Sequence, residues 1–572
     1  MIRRYGVGKR LSEMVTYHGF LYLAGQVASD PTADVKGQTE QILKQIDELL
    51  EEGGATKKSI LTATIYLADI ATFAQMNEAW DAWVPEGMPP ARATVEARLA
   101  KPEYKVEIMV TACNGMSAHA AAPAAKAAEH DHGHDDGHNH YPEVTQTTMH
   151  DPIRTQSNIA PPAHIREAET MRVSRATFDE VMFQTYVPAQ FVPVRAAGSR
   201  IWDTEGKDYV DLAGGVAVLS LGHCHPALNA ALKAQADRMW HISNYMVNEP
   251  AMRFAKKLVQ ATFADRVFLC NSGTEANEGA LKTARKFAST KYGDQKHHII
   301  STTNSFHGRT WLAVSTGGSA KYTKGMGPVP AGITHVPYND VDALRAVMDD
   351  DVACVILEPM QGEGGMFPGS PAFLGAAREL CDKHNALLIF DEIQSGVGRT
   401  GALYSYMQKG VTPDILTSAK GIGGGFPIGC FITTEEIAAV MQPGTHGTTY
   451  GGNPLGSAVA ETVFDIVNNE AFLKRVLVAE QRLRDGFNAI NEKHNVFKDV
   501  RGEGLWLGCE LVEKYDNRAG DFMKSGHRNG VVFLTAGNNN ILRFAPALNI
   551  TDADIDDGLA RTERAIAEIV GA

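Results

Sequence analysis

Long apolar runs are missing from this chain. No uninterrupted stretch approaches the ~20 residues that a membrane-spanning helix needs, so a membrane partner is not expected. Excess positive charge is missing too. The formal net charge is −13, which argues against nucleic acid or an anionic membrane surface as a partner. Cysteine is sparse: seven residues are scattered with no C-x-x-C pair, as expected for reduced thiols in the cytoplasm. The segment MIRRYGVGKRLSEM lacks the apolar centre of a signal peptide, which adds to the cytoplasmic expectation. What is present is ordinary: 44% hydrophobic and 21% charged residues suffice for large cores. With 572 residues, more than one domain is expected at about 100–200 residues each.

Composition divides the chain into three parts. Residues 1–114 alternate strand-like and helix-like segments. Ile42, Leu43, Ile46, Leu49 and Leu50 fall on one helical face, and Gly53-Gly54 supplies a stop. Strands are expected at 19–25, 60–68, 91–99 and 104–113, and a second helix at 73–84. The strands are expected to pair antiparallel, giving an α+β unit. Residues 115–172 carry almost no large apolar side chains and read as a solvated linker. His130, His132, His134, His138 and His140 admit weak zinc or nickel binding, but a spacer is favoured because coordination needs fixed geometry. Residues 173–572 alternate apolar strands with helices, which indicates βα units around a mostly parallel sheet.

The third part carries the chemistry. Asp414 to Ser418 deliver Lys420 to a glycine-rich stretch, Gly421 to Gly429, where something bulky can approach the backbone. An amine held there can form a Schiff base with an aldehyde cofactor. Upstream, an apolar strand ends in Asp391, a carboxylate able to pair with a protonated pyridine nitrogen. Lysine and aspartate together point to pyridoxal phosphate (PLP). Its phosphate needs an anchor. NSGTEAN (271–277) offers a helix start with Ser272 and Glu275 at capping-box spacing, Gly273 for close approach and the Thr274 hydroxyl. His223 and His225 resemble a zinc pair by composition, but no further ligands cluster nearby, so no metal is expected.

These motifs, with FHGRT (306–310), LEPMQGEGG (357–365), IFDEIQSGVGRTG (389–401) and GTHGTTYGGNP (444–454), resemble the class III, fold-type I PLP aminotransferases. Within that class the likeness is to the acetylornithine and succinylornithine aminotransferases, from about Arg175 to the C-terminus. The resemblance implies a large PLP domain over about 221–475 and a small α/β domain from 173–220 and 476–572. It implies Lys420 as Schiff-base lysine and proton shuttle, Asp391 on the ring nitrogen, Gln394 near the phenolic oxygen and Phe306 on the ring face. Ser272, Gly273 and Thr274 would hold the phosphate, and Thr449 would reach the phosphate of a partner subunit. Arg543 would grip the α-carboxylate of 2-oxoglutarate or glutamate, Glu363 would pair with Arg543 in the other half-reaction, and Arg309 would bind the second carboxylate. Ornithine, 4-aminobutyrate and N-succinyldiaminopimelate remain alternative amino donors.

Residues 1–114 resemble the RidA-type enamine/imine deaminases, with a chorismate-mutase-like fold, through YLAGQV, TIYLADI, FAQMNEAW and PPARATVEARL. That resemblance implies Arg92 on an imino-acid carboxylate and Glu107 positioning the attacking water, with Gly25 and Asn77 near the site. Thr94 and Leu11 stand where many active members carry cysteine and tyrosine. A non-catalytic sensor or oligomerising module is the alternative, as is an Arg92–Glu96 ion pair. Two-fold contacts in one family and three-fold contacts in the other imply a homo-oligomer, a hexamer if both operate.

Overall fold

The computed structural model describes residues 2–17, 19–114 and 174–571. The linker and its histidines lie outside them. The described chain forms two compact units.

The N-terminal unit is a seven-stranded sheet with two helices. Its strands run in the order Arg3–Val7, Ser12–Tyr17, Phe20–Leu23, Val106–Cys113, Ile60–Leu67, Ala91–Glu96, and the short Gln26–Val27 also pairs with Val106–Cys113. The helix Val35–Glu52 buries Ile42, Leu43, Ile46, Leu49 and Leu50 and ends at Gly53, as the spacing requires. The expected all-antiparallel pairing holds for every neighbour but one. Ile60–Leu67 and Ala91–Glu96 run parallel. The helix Phe73–Trp83 lies between them in sequence, and such a crossover returns the chain in the same direction.

The larger unit is built on another seven-stranded sheet. Its order is Arg266–Cys270, Gly429–Thr433, Ile415–Ser418, Leu387–Asp391, Val352–Leu357, His298–Thr302, Ile333–Val336. Only Gly429–Thr433 runs against its neighbours. Both faces are covered, which explains why the strands read as unbroken apolar runs. Ile299, Cys354, Ile356 and Ile389 pack toward one core. Ile300, Val355, Leu388 and Phe390 pack toward the other. Two four-stranded sheets complete the unit: one joins the strands from 193–211 to Val531–Val532, and the other is formed entirely by strands within 497–544.

One consequence of the parallel order positions the site. Gly273, Phe306, Glu358, Asp391 and Lys420 all follow or end strands that run in the same direction. They therefore gather at one edge of the sheet, outside its carboxyl ends.

Candidate active site

A cavity of about 230 Å³ opens at that edge, bordered by Gly273, Thr274, Phe306, Asp391, Gln394 and Lys420. Arg309 also borders it, with its guanidinium 3.9 Å from the Tyr322 ring centre and 5.3 Å from that of Phe306.

Lys420 follows the buried strand Ile415–Ser418 with φ of +45°, a left-handed conformation uncommon outside glycine. Burial, with the Arg543 charge nearby, lowers its pKa from 10.5 to about 8. A neutral, nucleophilic amine is therefore accessible near physiological pH.

Asp391 closes the strand Leu387–Asp391 and is held on all sides. Its Oδ2 accepts from Asn277 Nδ2 and lies against His307 Nδ1, both at 2.8 Å. Its Oδ1 accepts from the Ile393 N–H at 3.1 Å. Asn277 is itself fixed, accepting from Thr417 Oγ1 at 2.8 Å and donating to the His307 carbonyl at 2.7 Å. Sequence reasoning quoted Asn277 and His307 inside motifs but gave them no role. Their convergence on one oxygen is a tertiary event with no local signal. Glu358 was likewise passed over. Its carboxyl accepts from the N–H groups of Phe306 at 2.9 Å and Gly362 at 3.0 Å, tying two walls of the cavity together. Burial raises its pKa to about 7.

The capped helix start expected at Ser272 is present. The helix Gly273–Tyr292 starts at the cavity, and Ser272 caps it, its Oγ accepting from the Glu275 N–H at 3.4 Å. Ser272 Oγ also donates to Glu275 Oε2 at 2.9 Å, so its side chain is already engaged. Gly273 and Thr274 border the cavity. A Cβ on Gly273 would fall 2.7 Å from Ile393 Cδ1, so only glycine leaves this wall unchanged. Free N–H groups, a held carboxylate and a lysine of lowered pKa around one cavity fit a pyridine aldehyde that carries a phosphate.

Arg543, on the strand Ile541–Phe544, is only 2% exposed. Its Nη1 meets Glu363 Oε1 at 2.5 Å, and its Nη2 donates to Gln394 Oε1. Burial pushes the Glu363 carboxyl up, but Arg543 outweighs it and holds Glu363 below its ordinary range. Thr449 is not among the residues bordering the cavity. It is exposed, beside Thr448, whose Oγ1 accepts from Asn271 Nδ2 at 3.1 Å. His223 Nε2 is engaged with Asp211 Oδ2 at 2.8 Å, and no metal-binding cluster exists among the described residues.

Comparison with known proteins decides the family. The model for "Aminotransferase class-III" matches residues 182–566. The chain belongs to the class-III aminotransferases. This family is PLP-dependent, so the cofactor expected from Lys420 and Asp391 stands. A second model, "Endoribonuclease L-PSP", matches residues 1–114, in agreement with the RidA-type resemblance. The chain is 55% identical to an acetylornithine aminotransferase of Pseudomonas putida, over 70% of this chain and 98% of that protein. It is 53% identical to a succinylornithine transaminase/acetylornithine aminotransferase of Pseudomonas aeruginosa, again over 70% and 98%. Among solved structures, the N-acetylornithine aminotransferase of Stenotrophomonas maltophilia matches with a TM-score of 0.60 and 42% identity, covering 68% of this chain and 98% of that one. The ornithine aminotransferase of Toxoplasma gondii matches at 0.68 and 32%, covering 72% and 99%. The aminotransferase reading and the fold-type I architecture expected from the motifs are thus both met.

In the N-terminal unit the four expected residues fall into two pairs. Arg92 Nη1 donates to Asn77 Oδ1 at 2.9 Å, and its guanidinium lies 5.2 Å from the Trp80 ring centre. Glu96 instead accepts from the Ile70 N–H at 3.0 Å. Glu107 packs on Gly25, where a Cβ would fall 2.0 Å from its Oε1. The strand Ile60–Leu67 separates the pairs. Arg92 is in register with buried Ala63, whereas Glu107 alternates with buried Val106 and Ile108, so the two lie on opposite faces of the sheet. A cleft of about 490 Å³ beside Gly25 is bordered by Glu13, Glu48 and Glu52.

Proposed function

We propose that the larger unit transfers the amino group of an N-acylornithine, N-acetylornithine or N-succinylornithine, to 2-oxoglutarate. The products are the N-acylglutamate semialdehyde and glutamate. The observation that carries this reading is the ion pair of buried Arg543 with half-buried Glu363, which reaches the cavity through Gln394, a lining residue that accepts from Arg543 Nη2. A transaminase must accept two unlike substrates in one site. With Glu363 on Arg543, the guanidinium is neutralised and does not require a carboxylate from the amino donor. With Glu363 displaced, Arg543 is free to grip a dicarboxylate in bidentate fashion. The names of the relatives favour acylornithines over ornithine or 4-aminobutyrate.

PLP, when bound, would supply the electron sink that makes the C–H of the amine-bearing carbon acidic, Cδ of the acylornithine and Cα of glutamate. The chain's own residues do the rest. Lys420 Nζ, neutral above about pH 8, takes and returns the proton of the amine-bearing carbon, Cδ in the acylornithine and Cα in glutamate. Asp391, held by Asn277 and His307, presents a fixed negative charge to the ring nitrogen. Gly273, Thr274 and the helix start bind the phosphate, with Ser272 as their cap. Phe306, Gln394 and Arg309 border the cavity; Phe306 would cover the ring face, Gln394 would serve the phenolic oxygen and Arg309 would take the second carboxylate. Thr449 serves the neighbouring subunit. The large domain is assigned to about 221–475, and the small one to 173–220 with 476–572.

For residues 1–114 we propose enamine/imine deamination, with Arg92 and Asn77 of one copy facing Gly25 and Glu107 of another. The placement of these pairs on opposite faces supports a shared site. The acidic cleft opposes both a lone-chain site for an anionic imino acid and a bound RNA backbone. A cytoplasmic location suits both activities, and no described helix is long and apolar enough to cross a membrane.

The test is steady-state turnover of the full-length, PLP-loaded protein with 2-oxoglutarate. The two acylornithines should exceed ornithine and 4-aminobutyrate in kcat/KM by at least about tenfold. Faster turnover of ornithine or 4-aminobutyrate would overturn the assignment.

A further inference from the structure

Trp506 has no role in the reading above, yet it borders the same cavity. It directly precedes the strand Leu507–Leu511, which pairs with Ile541–Phe544 so that Gly508 lies opposite Arg543. Its side chain is fully buried, 0% exposed. The ring lies on the backbone of Gly362, where a Cβ would fall 2.4 Å from Trp506 Cζ2. Trp506 therefore flanks the segment that carries Glu363. The Arg543 guanidinium carbon stands 6.0 Å from the ring centre.

Two donors here lack acceptors. Trp506 Nε1 is buried and finds no partner among the described residues, and the same is true of Arg543 Nε. Buried polar groups are almost always paired. Indole N–H is a donor only, so no rotation or change of tautomer can make it self-sufficient. If the ring served only to fill space, a phenylalanine or leucine would do so without a stranded N–H. Two unpaired donors beside the proposed carboxylate subsite call for an acceptor, and a substrate carboxylate bound there would supply one.

We infer that Trp506 is a further specificity-determining residue, whose indole N–H donates to a carboxylate oxygen of the dicarboxylate keto acid held by Arg543. The inference rests on the proposed acceptance of 2-oxoglutarate. During the amino-donor half-reaction the N–H has no anion to meet, so its contribution discriminates between the two substrates.

The experiment uses the full-length holoenzyme and Trp506→Phe, which keeps an aromatic ring on Gly362 and removes only the donor. A hydrogen bond to a charged group implies a rise of about tenfold in KM for 2-oxoglutarate. The KM for the acylornithine and kcat should stay within about twofold. The calorimetric Kd of glutarate, an unreactive dicarboxylate, should rise by the same factor as the KM for 2-oxoglutarate. Unchanged KM and Kd, or equal damage to both substrates, would overturn the inference and leave Trp506 a packing residue. Should the variant fail to fold, the unsubstituted holoenzyme still decides. Its indole N–H Raman band must shift on adding glutarate, and no shift overturns the inference. If unsubstituted enzyme neither uses 2-oxoglutarate nor binds glutarate, the functional reading itself fails, which separates the two failures.

Discussion

At the scale of single residues, the site works by controlled burial. Lys420 is an amine whose charge is made expensive by its surroundings, so its pKa falls to about 8. Only the neutral amine attacks an aldehyde. Capture of PLP by the cofactor-free protein should therefore accelerate as pH rises through about 8 and level off above it. The visible absorbance of the lysine-bound cofactor measures this, and a midpoint near the ordinary lysine value would contradict it. Lys420→Ala should abolish turnover while PLP still docks through its phosphate, and near-normal turnover would remove the lysine from the mechanism. Arg543 makes the complementary case. Removing one partner of a buried charge-assisted pair typically costs about 2–5 kcal/mol. Arg543→Ala should then raise KM for 2-oxoglutarate by tens-fold or more and change that for the acylornithine far less. Equal losses in both half-reactions would mark a structural arginine.

Elements set where those residues stand. The helix Gly273–Tyr292 does two jobs at one end, and they can be separated. Ser272→Ala removes the cap and should cost about 1 kcal/mol of stability, read as a lowered melting temperature of the cofactor-free protein. Gly273→Ala should leave that melting temperature nearly unchanged, because its φ is not left-handed and the clash meets only the tip of Ile393. It should instead push Ile393 toward the cavity and weaken PLP binding, measured as a higher dissociation constant. If both variants lower stability alike, the glycine is part of the helix and not of the cradle. In the N-terminal unit, the helix Val35–Glu52 and the strand Ile60–Leu67 followed from periodicity, whereas the strands Arg3–Val7 and Ser12–Tyr17 and the strand directions did not. Ala91–Glu96 reads the same whether parallel or antiparallel, and the long crossover before it decides.

The whole molecule raises the question of assembly. Phe183 at 89%, Val187 at 91% and Tyr245 at 99% exposure leave large apolar side chains uncovered on the larger unit. Phe20, Tyr22, Leu61 and Met109 do the same on the smaller. Arg92 and Glu107 on opposite faces need a second copy to meet. Two-fold contacts of the larger unit and three-fold contacts of the smaller, if both operate, would close together in a hexamer of dihedral symmetry. Light scattering should give a hexamer for the full chain and a dimer for residues 173–572. Two dimers would mean that the N-terminal unit makes no three-fold contact, and imine hydrolysis by the full chain should then be absent.

The sequence by itself determined the chemistry that depends on neighbours along the chain. Ser272 and Glu275 lie three residues apart, Lys420 abuts its glycine loop, and Asp391 ends an apolar strand. Each of those statements concerns local geometry, which spacing encodes. Only the tertiary structure decided what meets across distance. Asn277 and His307 lie on different elements, yet both reach Asp391, with Thr417 bracing Asn277, because the parallel strands end at one edge. Trp506 and Arg543 belong to separate segments, and only antiparallel pairing of their strands sets them side by side. Register and strand order arise from burying both faces of a sheet at once, a condition on the whole chain that no short window of residues contains.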